Sequence, residues 1–393
     1  MNNIEQAINE ARKAISENNS RKALKLLKPY KKSLTAENSS NLPLLQIFAD
    51  SYLENGQLDK AYPLLVKSCE LDSKGTIGGC DKFFTLGQII GGQDGISILS
   101  QGIENISQTH NGKNINQDQV DKIVNGLLTM IEIWMTDLCM EPNAESQCEE
   151  LITKAMEISE NKSPEAWSTL GSIRISQQRF SDASKAFTQA WKYFEIKKKS
   201  IAEDIMNNNS NSGSASNNAS HEDYVNLLQP LISLAKMCME VGLYEIALKV
   251  EALVKEIDED NLEAYYLEGF TNYLICKLET FKKSNPNISL IPETIYEFNS
   301  HIQEVPIDLN DQDVLDNINE SRIALSFASK LGENVDPSDD ISKELIDGTH
   351  ALLQELGGPI PDSELQKLRK GEFLEEVEDD VDFDELSDDN EDI

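Results

Sequence analysis

Ser163–Phe194 reads SPEAWSTLGSIRISQQRFSDASKAFTQAWKYF. Its packing residues stand at fixed places: Trp167, Leu170 and Gly171 in one amphipathic half, Ala183, Phe187 and Ala190 in the other. The spacing predicts two short helices that cross closely. Gly171 and Ala183 leave room at the crossing, while Trp167, Leu170 and Phe187 fill the groove beside it. A single such pair cannot bury its apolar faces. It needs neighbours stacked on both sides, so one clear unit predicts several.

The spacing resembles the tetratricopeptide repeat. Taking the small residue early in each second helix as a marker, Ala23, Ala61, Leu99, Cys148, Ala183 and Ala247 fall in equivalent positions, at intervals of 38, 38, 49, 35 and 64 residues. In the first pair, Ile4–Glu17 and Arg21–Tyr30 are joined at Asn18-Asn19-Ser20, with Ser20 as the expected cap. Gly56 marks the second turn and Gly91-Gly92 the third. Those glycines are no phosphate loop, because no strand precedes them and no GK[ST] follows. A helix over Val314–Leu331 completes a seventh pair, and Ile341–Leu356 closes the array. The fold class is therefore all-α: an α-solenoid of about seven helix pairs over residues 1–356. A disordered Asn/Ser-rich insertion is expected at about 200–221, and a disordered acidic tail over 357–393.

The 393 residues include 35 Lys and Arg against 69 Asp and Glu, a net charge of −34. Thirteen of the acids lie between Glu372 and Ile393, where no base occurs, so the remainder still carries −21. Direct nucleic-acid binding is disfavoured, since it needs clustered Lys and Arg. A basic polypeptide is the natural complement. Six scattered cysteines with no CxxC pair indicate neither zinc nor a disulfide framework. The N-terminal MNNIEQAINEARKAI lacks the apolar run of a secretory signal, and no segment reaches the ~18 apolar residues of a membrane span. An intracellular monomer without membrane contact is expected.

No catalytic constellation or cofactor motif emerges. His110, His221, His301 and His350 lie outside any HExxH or triad context, so neither a catalytic nor a metal residue is assigned, and an enzyme is not expected. The expected chemistry is recognition along the inner wall, which the first helix of each pair lines. Extrapolated from the opening repeat, that wall gathers Asp50, Glu54, Asp81, Phe84, Gln88, Asp137, Glu141, Glu165, Glu240, Glu263, Tyr266, Phe270 and Tyr273. Carboxylates accept bidentate hydrogen bonds from Arg, and aromatic faces stack on guanidinium groups. A clamp for acidic chaperone tails would need lysines here, and Lys236 alone occupies such a place.

Three segments carry a more specific likeness: DKFFTLGQIIGGQDGISILSQGIE (Asp81–Glu104), EIWMTDLCMEPNAESQCEELITKAM (Glu132–Met156) and ELIDGTHALLQELG with the acidic end beyond it. With them the chain resembles the fungal tetratricopeptide-repeat assembly chaperones dedicated to the fourth large-subunit ribosomal protein. The resemblance implies capture of the newly made client through a long basic internal loop, solubility in its company, and escort from cytoplasm to nucleus for pre-60S assembly. An import receptor and the pre-ribosome would be further partners. The alternatives are a histone chaperone, or a general scaffold or co-chaperone built on the same repeat. In the histone-binding family a strongly acidic stretch interrupts a repeat, whereas the interruption here is Asn/Ser-rich and nearly neutral.

Overall fold

The computed structural model describes residues 3–17, 19–109, 115–209, 224–336 and 339–370. Among them are seventeen α-helices and no strand. Two compact units divide the chain, Met1–Met206 and Asn207–Ile393.

The first unit holds five helix pairs: α1 (Asn3–Ser16) with α2 (Ser20–Leu27), α3 (Leu42–Leu53) with α4 (Leu58–Leu71), α5 (Asp81–Ile90) with α6 (Gly92–Thr109), α7 (Gln117–Met135) with α8 (Ala144–Ile158), and α9 (Pro164–Ser176) with α10 (Phe180–Asn209). A 3-10 turn, Lys28–Thr35, follows α2. First helices of successive pairs lie side by side, α1 on α3, α5 on α7 and α7 on α9. Asn19, not Ser20, caps α2: its side chain accepts from the Lys22 amide, while the Ser20 hydroxyl donates to the Glu54 carbonyl.

The second unit begins its described part with α11 (Leu228–Glu240) and α12 (Tyr244–Ile257). The seventh pair is α13 (Leu262–Ser284) with α15 (Leu315–Gly332), separated by a short α14 (Pro292–Ser300). Then come α16 (Asp340–Glu355) and α17 (Asp362–Arg369).

Every marker residue is buried: Ala23, Ala61, Leu99, Ala183 and Ala247 completely, and Cys148 nearly so. The close crossings are made where a side chain would collide. A Cβ on Gly171 would come within 2.3 Å of the Phe187 ring, one on Gly87 within 2.6 Å of Leu99, and one on Gly269 within 2.5 Å of Leu325. Pairs three, five and seven thus share one device, a glycine on the first helix seating a large residue of the second.

Two expected boundaries change. Residues 200–209 are helical, because nothing from Phe180 to Asn209 breaks the helix and Ile201, Ala202 and Glu203 favour it. The rest of the expected insertion, 210–221, lies outside the described residues, as do His110 and His221. Residues 357–370 are likewise folded. Leu365 is buried, the Arg322 guanidinium donates to the Gly358 carbonyl, and the Ile360 amide donates to Ser326. Residues 371–393 lie outside the described set. Among the described residues, no helix is long and apolar enough to cross a membrane.

Candidate functional site

In the first unit, Asp50 and Glu54 stand one turn apart at the end of α3, and Asp81 opens α5. The α4–α5 loop that delivers Asp81 is built around a buried ion pair. Lys82 donates to Asp72 at 2.8 Å, both side chains being almost fully enclosed, and the Thr76 and Gly78 amides donate to the same carboxylate. Burial alone would raise the Asp72 carboxyl. The bonds from Lys82, Gly78 and Ile77 outweigh it and hold the group below the usual carboxylate range.

Asp50, Glu54 and Asp81 form one electrostatic cluster with Arg12 of α1. Desolvation pushes the Asp50 carboxyl up to about 6; Arg12 opposes the rise, while Asp81 and Glu54 add to it. Yet Asp50 is exposed. The two facts agree for a recessed group, which water reaches from one side while protein fills the others. Asp81 also pairs with Lys122 of α7 at 2.7 Å. The wall therefore also carries cations, Arg12 on α1 and Lys122 on α7, which the sequence reading left out although both lie on first helices of its pairs, because it gathered only acids and aromatics.

Gln88 and Glu141 are exposed. Three other expected wall residues of this unit have structural partners. Phe84 packs over the bare backbone of α6 and α7, where a Cβ on Gly126 would fall 2.6 Å from its ring. Asp137 accepts the Gly92 amide at 2.8 Å and so caps the start of α6. Glu165 is bound by Lys197 at 2.6 Å and by the Ser163 hydroxyl.

In the second unit, burial raises the half-buried Glu240 carboxyl, and Glu263 is paired with Lys236. Tyr266, Phe270 and Tyr273 do form a stripe along α13, with successive ring centroids 6.1 Å apart. The stripe faces inward, against the expectation. It belongs to a core with Cys276, Ile318, Leu325, Leu353 and Leu356. A Cβ on Gly348 of α16 would stand 3.1 Å from the Tyr266 hydroxyl, and the Tyr273 hydroxyl donates to Glu355 at 2.7 Å. The closing helix was expected; that it lands on these rings was not, because both surfaces are apolar and only their meeting decides which is covered.

In the first unit Asp50, Glu54 and Glu141 are exposed with no ion-pair partner among the described residues, and Asp81 is exposed but shared with Lys122. Such groups can accept hydrogen bonds from ammonium and guanidinium donors.

Residues 260–393 match the ACL4 C-terminal domain. A protein of Emericella nidulans named "Probable assembly chaperone of rpl4" is 30% identical over 252 residues, 62% of this chain and 58% of that one. One of the same name from Schizosaccharomyces pombe is 28% identical over 199 residues, 50% of this chain and 52% of its own length. The chain thus spans a little over half the length of these relatives. Among solved structures, "Assembly Chaperone of RpL4 (Acl4) (Residues 1-338)" superposes with a TM-score of 0.50 at 22% identity, over 71% of this chain and 99% of that one. That likeness bears on the fold, and it agrees with the array of helix pairs. The resemblance drawn from the three sequence segments is borne out by these comparisons.

Proposed function

We propose that this chain is a dedicated assembly chaperone for the fourth ribosomal protein of the large subunit. It holds the client's basic internal loop on its open carboxylates, keeps it soluble, and accompanies it from the cytoplasm into the nucleus. The observation that carries the reading is the acidic cluster of the recessed Asp50 with the exposed Glu54 and Asp81, in a chain of net charge −34. A lysine or arginine entering it replaces proton or water with a charge-assisted bond. The name borne by the two fungal relatives supports the identity of the client. The binding surface comprises Asp50, Glu54, Asp81, Gln88 and Glu141 of the first unit. Its action is binding, not catalysis.

A basic ribosomal-protein loop has no packed core of its own until RNA surrounds it, so free in the cell it binds RNA indiscriminately or aggregates. The test is a titration of the full chain at 50 mM NaCl with the client's isolated internal loop and, separately, with core histones. Loop binding at least tenfold tighter than histone binding is expected. Equal affinities, or no loop binding at this salt, where attraction between charges is strong, overturn the reading.

A further inference from the structure

Between Glu17 and Glu37 stand six cations and no acid: Arg21, Lys22, Lys25, Lys28, Lys31 and Lys32. All six are exposed. The reason is local, since Ala23, Leu27 and Leu34 are buried and turn the remaining positions of α2 and its 3-10 extension outward. Arg21, Lys25 and Lys28 follow each other a turn apart along α2, and Lys28 and Lys31 stand one above the other in the tighter 3-10 turn. Lys22 reaches Glu17 at 3.6 Å, and Lys31 lies 6.0 Å from the Tyr52 ring. Arg21, Lys25, Lys28 and Lys32 have no ion-pair partner among the described residues.

Attraction to the helix C-terminus accounts for Lys25 and Lys28, because that effect fades within the last turn. It does not account for six. Solubility does not either: removing these six positive charges from the chain's −34 leaves −40 on everything else. Nor is a run of six cations with no acid among them the interspersed pattern that solubility favours.

We propose that the strip Arg21–Lys32 is a docking surface for a short acidic segment of a partner protein. Charge complementarity sets the sign of the partner, and geometry sets its size. The strip spans roughly 20 Å along α2 and the 3-10 turn, the length of about six extended residues. A segment of that size stays within a Debye length, about 8 Å at physiological salt, of the cations. A nucleic acid runs past the strip onto a body that repels it. The strip also offers no exposed aromatic face on which a base could stack, since Tyr30 is half-buried. This surface has the opposite chemistry to the carboxylate wall and stands apart from the proposed client.

The test is fluorescence polarisation with the full chain, using fluorescein-labelled heptaglutamate and, separately, labelled heptathymidylate. At 50 mM NaCl the peptide binds, and raising the salt to 200 mM weakens it. The triple variant K25E/K28E/K32E binds it at least tenfold more weakly. A control of identical charge change on exposed lysines elsewhere, K154E/K185E/K192E, stays within twofold of the parent. Circular dichroism checks the helicity of each, and K25Q/K28Q/K32Q repeats the test should the reversal lower it. No binding of heptaglutamate by the parent, an equal loss in the control, or heptathymidylate binding as tightly as the peptide overturns the proposal.

Discussion

The Tyr273 hydroxyl donates a 2.7 Å hydrogen bond to Glu355, joining the middle of α13 to the last residue of α16. Glu355 also takes the ammonium of Lys277, whose side chain is only 2% exposed. Removing the counter-charge of a buried lysine costs about 3–5 kcal/mol when both partners are enclosed. The Glu355 side chain is 41% exposed, so solvent screens the pair, and Glu355→Gln is expected to cost about 1–2 kcal/mol. Urea denaturation measures the loss, and faster amide exchange confined to α16 locates it.

Asp72 and Lys82 present the enclosed case, with side chains 2% and 1% exposed. Asp72→Asn is expected to destabilise the first unit by about 3–5 kcal/mol. The native Asp72 carboxyl sits below the ordinary range, so its stabilisation is complete above about pH 4 and is lost as the pH falls through the native value. The signature is a smaller loss of stability below pH 4 in the Asn variant than in the parent, read from urea midpoints.

Glu251 has the reverse sign. It is 1% exposed; one oxygen accepts the Thr271 hydroxyl at 2.7 Å and the other has no partner. Burial pushes its carboxyl up to about 8 from 4.5. Between those values the unfolded chain has released a proton that the folded one keeps, so stability falls with rising pH by up to about 1.4 kcal/mol per unit. Glu251→Gln keeps the acceptor for Thr271 and removes the titration. Urea midpoints taken from pH 5 to 8 should slope less in the variant, and at pH 7.5 the variant should be the more stable.

Asp50 links binding to protons. Its carboxyl, near 6, is substantially protonated at pH 5.5, and a docking cation must expel that proton. Loop affinity is expected to fall from pH 7.5 to 5.5 in the parent and to change less in Asp50→Asn. Calorimetry in two buffers of different ionisation enthalpy reads the released proton directly.

Charge reversal separates wall from scaffold. The pair Asp50→Lys and Glu54→Lys should weaken loop binding at least tenfold with helicity intact. Asp137→Lys should instead cost about 1 kcal/mol of stability through the lost cap of α6, with loop affinity within twofold of the parent.

Ala23, Ala61, Ala183 and Ala247 could be read as crossing points from the sequence because a close helix crossing admits only small residues, whatever surrounds it. Gly171 was legible for the same reason, and the structure sets the Phe187 ring against it. The site was legible in its chemistry more than in its faces. Asp50, Glu54 and Asp81 are brought together as an acidic cluster. Tyr266 and Tyr273 were misread because a stripe of rings at helical spacing looks alike whether a partner or the chain's own α16 covers it. The Tyr273 bond to Glu355 spans 82 residues, a separation at which no local pattern speaks. Asp137 was misread likewise, since what it bonds lies 45 residues back.

That last contact bears on how the molecule comes apart. A linear array ordinarily peels one repeat at a time, because each repeat holds only to the face of its neighbour. Asp137 lies in the turn after α7, and it grips the first amide of α6 in the preceding pair. Detaching the third pair from the fourth therefore also uncaps its second helix, which adds about 1 kcal/mol to the cost of parting these two repeats.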